Sequence, residues 1–287
     1  MILIAGGTGR LGTLVVNHLI DRGLSVRVLT RDPQRASHLP EQVDIAVGDV
    51  RDPASLVAAV DGVDLVVSAV QGFAGPGDGT PASVDRDGNI HLIDAARTVN
   101  ADFVMVSVVG AAVDSPMELF RMKHAAEQHL RSTGLRATIV QATAFRELWV
   151  ELLNQTAARS GRPLVFGRGE NPINFVAVDD VAMRIADAIT DPATRGSTLQ
   201  IGGPGNLTFN QLAAAVQTAA GRTKAPRHIP PAGLRLMANT VGRVKPELGR
   251  QARAALAMDR VDLTFDPNHN GGSPGVAVHA VGDAGAT

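Results

Sequence analysis

Three glycines, at positions 6, 9 and 12, constrain this chain more than any other feature, because of what flanks them. Ahead of them, Ile2-Leu3-Ile4-Ala5 is short, apolar and bounded by glycine, the pattern of a buried strand. Behind them, Leu11, Leu14, Val15, His18 and Leu19 fall on one face of a helix. A strand, a glycine turn and a helix in direct succession make one supersecondary unit. In it Gly6 permits the tight turn, Gly9 lets backbone approach a pyrophosphate with no Cβ in the way, and Gly12 lets the helix pack closely on the sheet. The helix start adds unpaired N–H groups and a partial positive charge. The turn residues Gly6, Thr8, Gly9, Arg10, Leu11 and Gly12 are therefore the expected phosphate contacts of a dinucleotide.

The rest of the first half repeats the rhythm. Val26–Leu29, Ile45–Val47, Leu65–Ser68, Phe103–Ser107 and Ala137–Val140 read as further buried strands. Helical patterns lie between them, around Leu56, Ala59 and Val60, around Ile90, Ile93, Asp94 and Arg97, and from Phe120 to Leu130. Asp52-Pro53 reads as an N-cap followed by proline in the first turn. Such alternation predicts an α/β fold, a doubly wound parallel sheet with helices on both faces. After residue 145 the rhythm changes. Strands at Leu164–Phe166, Asn174–Val178 and Thr198–Ile201, with helices at Asp180–Ile189 and Phe209–Ala220, are assigned to a smaller C-terminal α/β lobe. The segment 231–258 reads as helix in two pieces. The expected division is 1–145 for the core, 146–265 for the lobe interleaved with it, and 266–287 for a flexible tail rich in Gly, Asn, Pro and Ala.

Composition excludes several chemistries. The 287 residues contain neither cysteine nor tyrosine, so thiolate metal sites, disulfides, a cysteine nucleophile and a tyrosine proton donor are all ruled out. No credible metal spacing appears, and no metal is expected. A net charge of −1 gives no field to gather nucleic acid or an anionic membrane. No apolar run approaches the ~20 residues needed to span a bilayer. MILIAGG runs into the glycine turn with no basic leader, which predicts a cytoplasmic protein; a monomer or homodimer is expected.

The residues that follow select the cofactor. Where an acidic residue about 20 positions on would bind the ribose 2′-hydroxyl of NAD, this chain has Thr30 and then Arg31. Arg31 and Arg10 form an expected pair of guanidiniums for a 2′-phosphate, which favours NADP, or Arg31 is a solvated surface charge. Asp32, before Pro33, reads as the cap of the next helix. Asp49-Val50 follows the third strand; in related cofactor folds such a pair lies beside the adenine, Asp accepting from the amino group and Val packing on the ring, or Asp49 serves instead as an N-cap or turn residue. Ala69, Val70 and Gln71 end the fourth strand, where ribose and pyrophosphate pass.

The motifs IAGGTGRLG at 4–12, VLTRDP at 28–33, GDVRDPASL at 48–56, GNIHLIDAA at 88–96, FVMVSVVGA at 103–111, KHAAEQHLRST at 123–133, NFVAVDDVA at 174–182 and GGPGNLTFNQLA at 202–213 resemble those of the NmrA-like, atypical short-chain dehydrogenase/reductases. That group includes quinone, triphenylmethane and isoflavone-reductase-like enzymes, and regulators that bind dinucleotide without evident turnover. The resemblance spans residues 1 to 220. It implies a Rossmann core and a substrate cleft between core and lobe.

One departure matters. Ordinary short-chain reductases carry Tyr-x-x-x-Lys on the helix after the fifth strand. Here the lysine position is Lys123, and four residues earlier stands Leu119, which transfers no proton. Phe120-Arg121-Met122-Lys123 instead resembles the F-x-x-K stretch of isoflavone-reductase-like enzymes, whose lysine is the proposed acid/base. Lys123 thus has three readings. It holds the nicotinamide ribose, or it exchanges a proton with substrate after burial lowers its pKa, or it is a surface lysine. Ser107, at the end of the fifth strand, faces the nicotinamide or a substrate carbonyl, or bonds nearby backbone. His124 and His129 have no evident partner. The glycine-rich loop Gln71–Pro81 reads as a lid or as a plain surface loop. Phe73, Phe145, Trp149, Phe166 and Phe175 either line an apolar cleft or pack in the core.

Two functions follow. One is an NADPH-dependent reductase passing hydride to a small, apolar, conjugated acceptor such as a quinone, dye or enone. Its electronics stabilise the anion and make the missing tyrosine tolerable. The other is a non-catalytic NADP(H)-binding redox sensor.

Overall fold

The computed structural model describes residues 1–73, 79–266 and 276–277. In chain order its elements are β1 (Ile2–Ala5), α1 (Arg10–Asp21), β2 (Val26–Thr30), β3 (Asp44–Val47), α2 (Pro53–Ala59), β4 (Leu65–Ser68), α3 (Asp87–Thr98), β5 (Asp102–Val108), α4 (Glu118–Ser132), β6 (Ala137–Ala142), β7 (Ala144–Phe145), α5 (Arg146–Ala157), β8 (Leu164–Phe166) and β9 (Pro172–Val176). They continue with α6 (Val178–Thr190), β10 (Thr198–Gly202), β11 (Asn206–Thr208), α7 (Phe209–Ala219), β12 (Arg227–Ile229), α8 (Pro231–Asn239), α9 (Val241–Val244) and α10 (Pro246–Met258). Two compact units result. The first comprises Met1–Ala142 and Val178–Ile201, and the second Thr143–Ala177 and the described part of Gly202–His269.

Seven parallel strands of the first unit run in the order β3-β2-β1-β4-β5-β6-β10. This is a doubly wound, Rossmann-like sheet whose strand order reverses between β1 and β4. Ile4 of β1 stands opposite Val28 on one side and Val67 on the other. Leu3, Ala5, Phe103, Met105 and Ile139 turn to one face, where Leu56, Leu92, Ile93, Ala126 and Leu130 of α2, α3 and α4 cover them. Each such side chain contributes about 1.5–3 kcal/mol by leaving water. On the other face α1 packs against α6, burying Val15, Val16 and Leu19 of one and Val181, Ala182, Ile185 and Ala186 of the other. His18 to Asp179 at 2.9 Å and Arg22 to Asp187 at 2.7 Å tie the rims of this pair.

Local signals account for the element ends. Asp52 caps α2 by accepting from the Ala54 amide, with Pro53 next, and Asp32 caps the short 3₁₀ turn Pro33–Ala36 through Gln34. A single π-helical turn, Pro81–Arg86, feeds straight into α3. The sequence pattern left residues 146–157 without a helix, and the structure places α5 there. It also returns α6 and β10 to the first unit, where the pattern had assigned them to the lobe. The reason is backbone pairing, since β10 lies parallel to β6, Thr198 opposite Ile139 through Ile201 opposite Ala142, and completes the sheet. Strand β9 sits two residues earlier than Asn174–Val178 because Val178 already opens α6.

In the second unit β9 lies between β11, antiparallel, and β7, parallel. Its buried Asn174 accepts from the Gly203 amide at 2.6 Å and from Thr143 at 2.9 Å, which fixes the turn after β10. Trp149 and Phe175 each meet Phe209 edge-to-face, at 4.8 and 5.7 Å. Phe175, at 4% exposure, is therefore a core residue.

Candidate functional site

The glycine turn sits where the sheet order reverses, the place where open α/β sheets bind ligands. Gly6 has φ of +90°, and a Cβ on it would stand 2.6 Å from the carbonyl oxygen of Ala69, just beyond β4. A Cβ on Gly12 would come within 2.7 Å of the Gly6 carbonyl carbon and the Gly7 Cα, so only glycine lets α1 start this close to β1. The Gly9 amide donates to the Gly6 oxygen at 3.0 Å, and Thr13 Oγ1 donates to the Gly7 oxygen at 3.2 Å. These bonds shape the turn without covering the helix start. No side chain caps α1, and no acidic residue lies in its first turn. A bare, positively polarised helix start beside glycines fits a pyrophosphate. Gly6, Thr8, Gly9, Arg10, Leu11 and Gly12 are thus gathered here, with Ala69 across the β1/β4 boundary. Leu11 is buried, so only its backbone is of use to a ligand.

The ends of β2 and β3 carry the next group. Thr30 is buried, and its hydroxyl donates to the Asp32 carbonyl at 3.0 Å. Asp32 is spent on its cap, as the sequence predicts, which leaves Arg31 exposed beside the turn. Arg10 is exposed too. The Asp49 carboxylate accepts from the Arg51 guanidinium, at 2.7 Å for Nη2, and from the Arg51 amide at 2.9 Å. These bonds hold its pKa below the ordinary carboxylate value, against the opposing effect of burial, with Arg31 adding a favourable field. The Asp49 carboxylate is thus shared with the turn, which matches the turn-residue alternative while leaving the side chain partly exposed. The Val50 side chain lies against Gly88, and its carbonyl meets His91 Nδ1 at 2.8 Å.

Behind the ends of β4 and β5 lies a buried charged group. Lys123 of α4 is 4% exposed. Its Nζ donates to the carbonyls of Val70 at 3.0 Å and Val106 at 3.1 Å, and pairs with Asp85 Oδ1 at 3.2 Å. Asp85 is fully buried in the π-helical turn, and its Oδ2 accepts from the Gly72 amide at 2.9 Å. Burial pushes the Asp85 pKa up, and the Lys123 charge opposes that shift. Asn89 donates to the Asp85 carbonyl at 2.7 Å and accepts from the buried Ser68 hydroxyl at 2.6 Å. The surface-lysine reading is overturned by this burial. The proton-exchange and ribose-holding readings meet a buried amine that already donates to two carbonyls and pairs with a carboxylate.

Ser107 also differs from its expected role. Its hydroxyl donates inward to Glu127 Oε1 at 2.5 Å, and Glu127 accepts in addition from Gln141 at 2.9 Å and Arg131 at 3.1 Å. Ser107 is 2% exposed, so a hydroxyl aimed at a nicotinamide or substrate carbonyl is corrected to one that solvates a buried carboxylate. His129 gains a partner the sequence did not reveal, Asp94 at 3.0 Å. Asp85 and Glu127 were missed. For Glu127 a signal existed, since Lys123, Glu127 and Leu130 share the buried face of α4. Residues 74–78 of the candidate lid and the tail from 267, apart from 276–277, lie outside the described residues. Among the described residues no three His, Asp or Glu side chains converge on a metal site, and no helix is long and apolar enough to cross a membrane.

Residues 6–192 match the family model described as NAD(P)H-binding. A curated relative is the NAD(P)H azoreductase of Xenophilus azovorans, 33% identical over 225 residues, covering 77% of this chain and 74% of the relative. Two solved structures share the fold at 21% identity. One is an NADPH-dependent quinone oxidoreductase from Escherichia coli complexed with NADPH, with a TM-score of 0.77, covering 93% of this chain and 91% of that one. The other is the Citrobacter sp. triphenylmethane reductase complexed with NADP(H), with a TM-score of 0.76, covering 93% and 92%.

Proposed function

The chain belongs to the NAD(P)H-binding family, of the NmrA-like, atypical short-chain reductase kind, and we propose that it is an NADPH-dependent reductase of small conjugated acceptors, of azo-dye or quinone type. One observation carries the choice of acceptor. Of the two side chains that sequence offers as proton donors, Ser107 gives its hydrogen to Glu127, and Lys123 is buried, donating to the carbonyls of Val70 and Val106 with the Asp85 carboxylate 3.2 Å away. The chain also has no tyrosine. An acceptor reduced here must stabilise its own anion and take its proton from water, and quinones and azo dyes do so. The azoreductase relative supports the same class.

The nucleotide, when bound, supplies a hydride from its reduced nicotinamide. Everything else falls to the chain. The α1 amides and the glycine turn hold the pyrophosphate. Arg31 and Arg10 meet the 2′-phosphate with charge-assisted bonds and favour NADPH over NADH. The backbone of Val70 and Gln71 would border the ribose. Lys123 acts from behind the strand ends as a positioning residue. Orientation of the nicotinamide against the acceptor supplies the rate, and the anion formed by hydride transfer then takes its proton from water.

A panel of quinones, azo dyes, triphenylmethane dyes and enones tests the reading, with NADPH loss followed by its near-ultraviolet absorbance. Consumption with at least one quinone or dye is expected. NADPH binding with no consumption across the panel would instead make the protein a nucleotide sensor.

A further inference from the structure

Asp85 and Lys123 form a buried ion pair that joins four pieces of backbone. Lys123 Nζ reaches the Val70 carbonyl, two residues past β4, and the Val106 carbonyl, inside β5. Asp85 receives the Gly72 amide through Oδ2 and faces Nζ through Oδ1. A Cβ on Gly72 would meet the carbonyl of Thr80, so the chain entering and leaving the loop touches at its neck. The pair sits at that neck. Asp85 belongs to the π-helical turn, a local irregularity that costs helix stability and recurs at functional sites. A buried ion pair is seldom the most stable filling for a core, because desolvation offsets its attraction. Two apolar side chains of similar volume would hold the π-helical turn and α4 together as well. What they would not do is fix the Val70 and Val106 carbonyls and the Gly72 amide at hydrogen-bonding distance.

We propose that Asp85 is a positioning residue for hydride transfer, acting through Lys123 and the Gly72 amide to fix the backbone at the ends of β4 and β5 against which the nicotinamide half of the nucleotide lies. This rests on the reductase reading above. The adenosine and pyrophosphate half is held elsewhere, by the glycine turn. Loss of the pair therefore disturbs the reacting end while leaving most of the binding intact. A misplacement of about 1 Å at a reacting atom costs roughly 100-fold in rate.

The test is Asp85→Asn, which keeps an acceptor for Gly72 and removes the charge opposite Lys123. With kcat expressed per NADPH-binding site, the expected result is a fall of about 10- to 100-fold with KM for NADPH within about threefold. The primary isotope effect with 4-deuterated NADPH should rise, and the fluorescence anisotropy of the bound nicotinamide should drop. A purely structural role would lower the melting temperature and leave the anisotropy and the isotope effect at wild-type values, and that result overturns the proposal. If Asp85→Asn does not fold, the double variant Asp85→Asn/Lys123→Met removes both charges and is read by the same anisotropy, where a wild-type value overturns the proposal and a lowered one supports it. If the wild-type protein binds NADPH but reduces no acceptor, the reductase reading has failed, and the anisotropy comparison still decides whether the pair holds the nicotinamide.

Discussion

Gly9→Ala separates a ligand role from a folding role more sharply than any other change at the turn. The backbone at Gly9 is extended, with φ of −89° and ψ of 169°, so alanine adopts it without strain. Its Cβ would meet one heavy atom beyond the adjoining residues within 4 Å, the Gly6 carbonyl oxygen at 3.3 Å, which has to give by a few tenths of an ångström. Replacing glycine at a compatible position removes freedom from the unfolded chain and stabilises by about 0.4–1 kcal/mol. The two effects nearly cancel, so the melting temperature should move by no more than about 2–4 °C. Nucleotide binding should not be spared. The new methyl stands on the open side of the turn, where the pyrophosphate has to approach, and a rise in Kd for NADPH of about 10- to 100-fold is expected, about 1.4–2.8 kcal/mol. Gly12→Ala provides the contrast. Helix propensity alone would favour alanine there by about 1 kcal/mol, yet its Cβ overlaps the Gly6 and Gly7 backbone, and overpacking of this kind costs about 1–3 kcal/mol. Thermal melts with and without nucleotide, together with fluorescence titration, read both variants. A Gly9→Ala protein that binds NADPH like wild type would refute the placement of the pyrophosphate, and one that melts far lower would show that the glycine serves the fold.

Two further outcomes follow from the ends of β2 and β3. Arg31→Ala should weaken NADPH by about 10- to 100-fold, the loss of one charged hydrogen bond of about 1.5–3 kcal/mol, while NADH changes by less than about twofold. Equal losses for the two nucleotides in parallel titrations would remove Arg31 from the 2′-phosphate site. Asp49 has its pKa lowered in the folded state by Arg51, so its pair contributes stability that is whole above the unfolded value of about 3.9 and is lost as pH falls through the lower folded value. Asp49→Asn should therefore destabilise by on the order of 1 kcal/mol at neutral pH and by progressively less below about pH 4. Urea midpoints measured across that range check it, and a constant difference at every pH would contradict it.

Much of the fold was legible because the strands are local objects. Ile2–Ala5 and Leu65–Ser68 are short apolar runs closed by glycine or aspartate, and the structure gives them the same bounds. Membership of the sheet was harder. The pattern of Thr198–Ile201 says strand, but its partner β6 lies far back along the chain, and no periodicity encodes that pairing. The site divides in the same way. The glycines, Arg31 and the caps are written in residue types, and they stand where the spacing puts them. The orientation of Ser107 was readable from parity. Phe103, Met105 and Ser107 alternate on one face of β5, the face covered by α4, and Glu127 waits there. Asp85 was not readable, because a π-helical turn has no periodic signature and its carboxylate meets Lys123 only through the tertiary fold.

Calorimetric titration of the purified, folded protein with NADPH and, in parallel, NADH tests the central claim most directly. One NADPH per chain, bound at least about tenfold more tightly than NADH, or about 1.4 kcal/mol, is the result the uncapped turn and its neighbouring arginines predict. Absence of heat with both nucleotides would contradict the cradle, the reductase and the sensor alike.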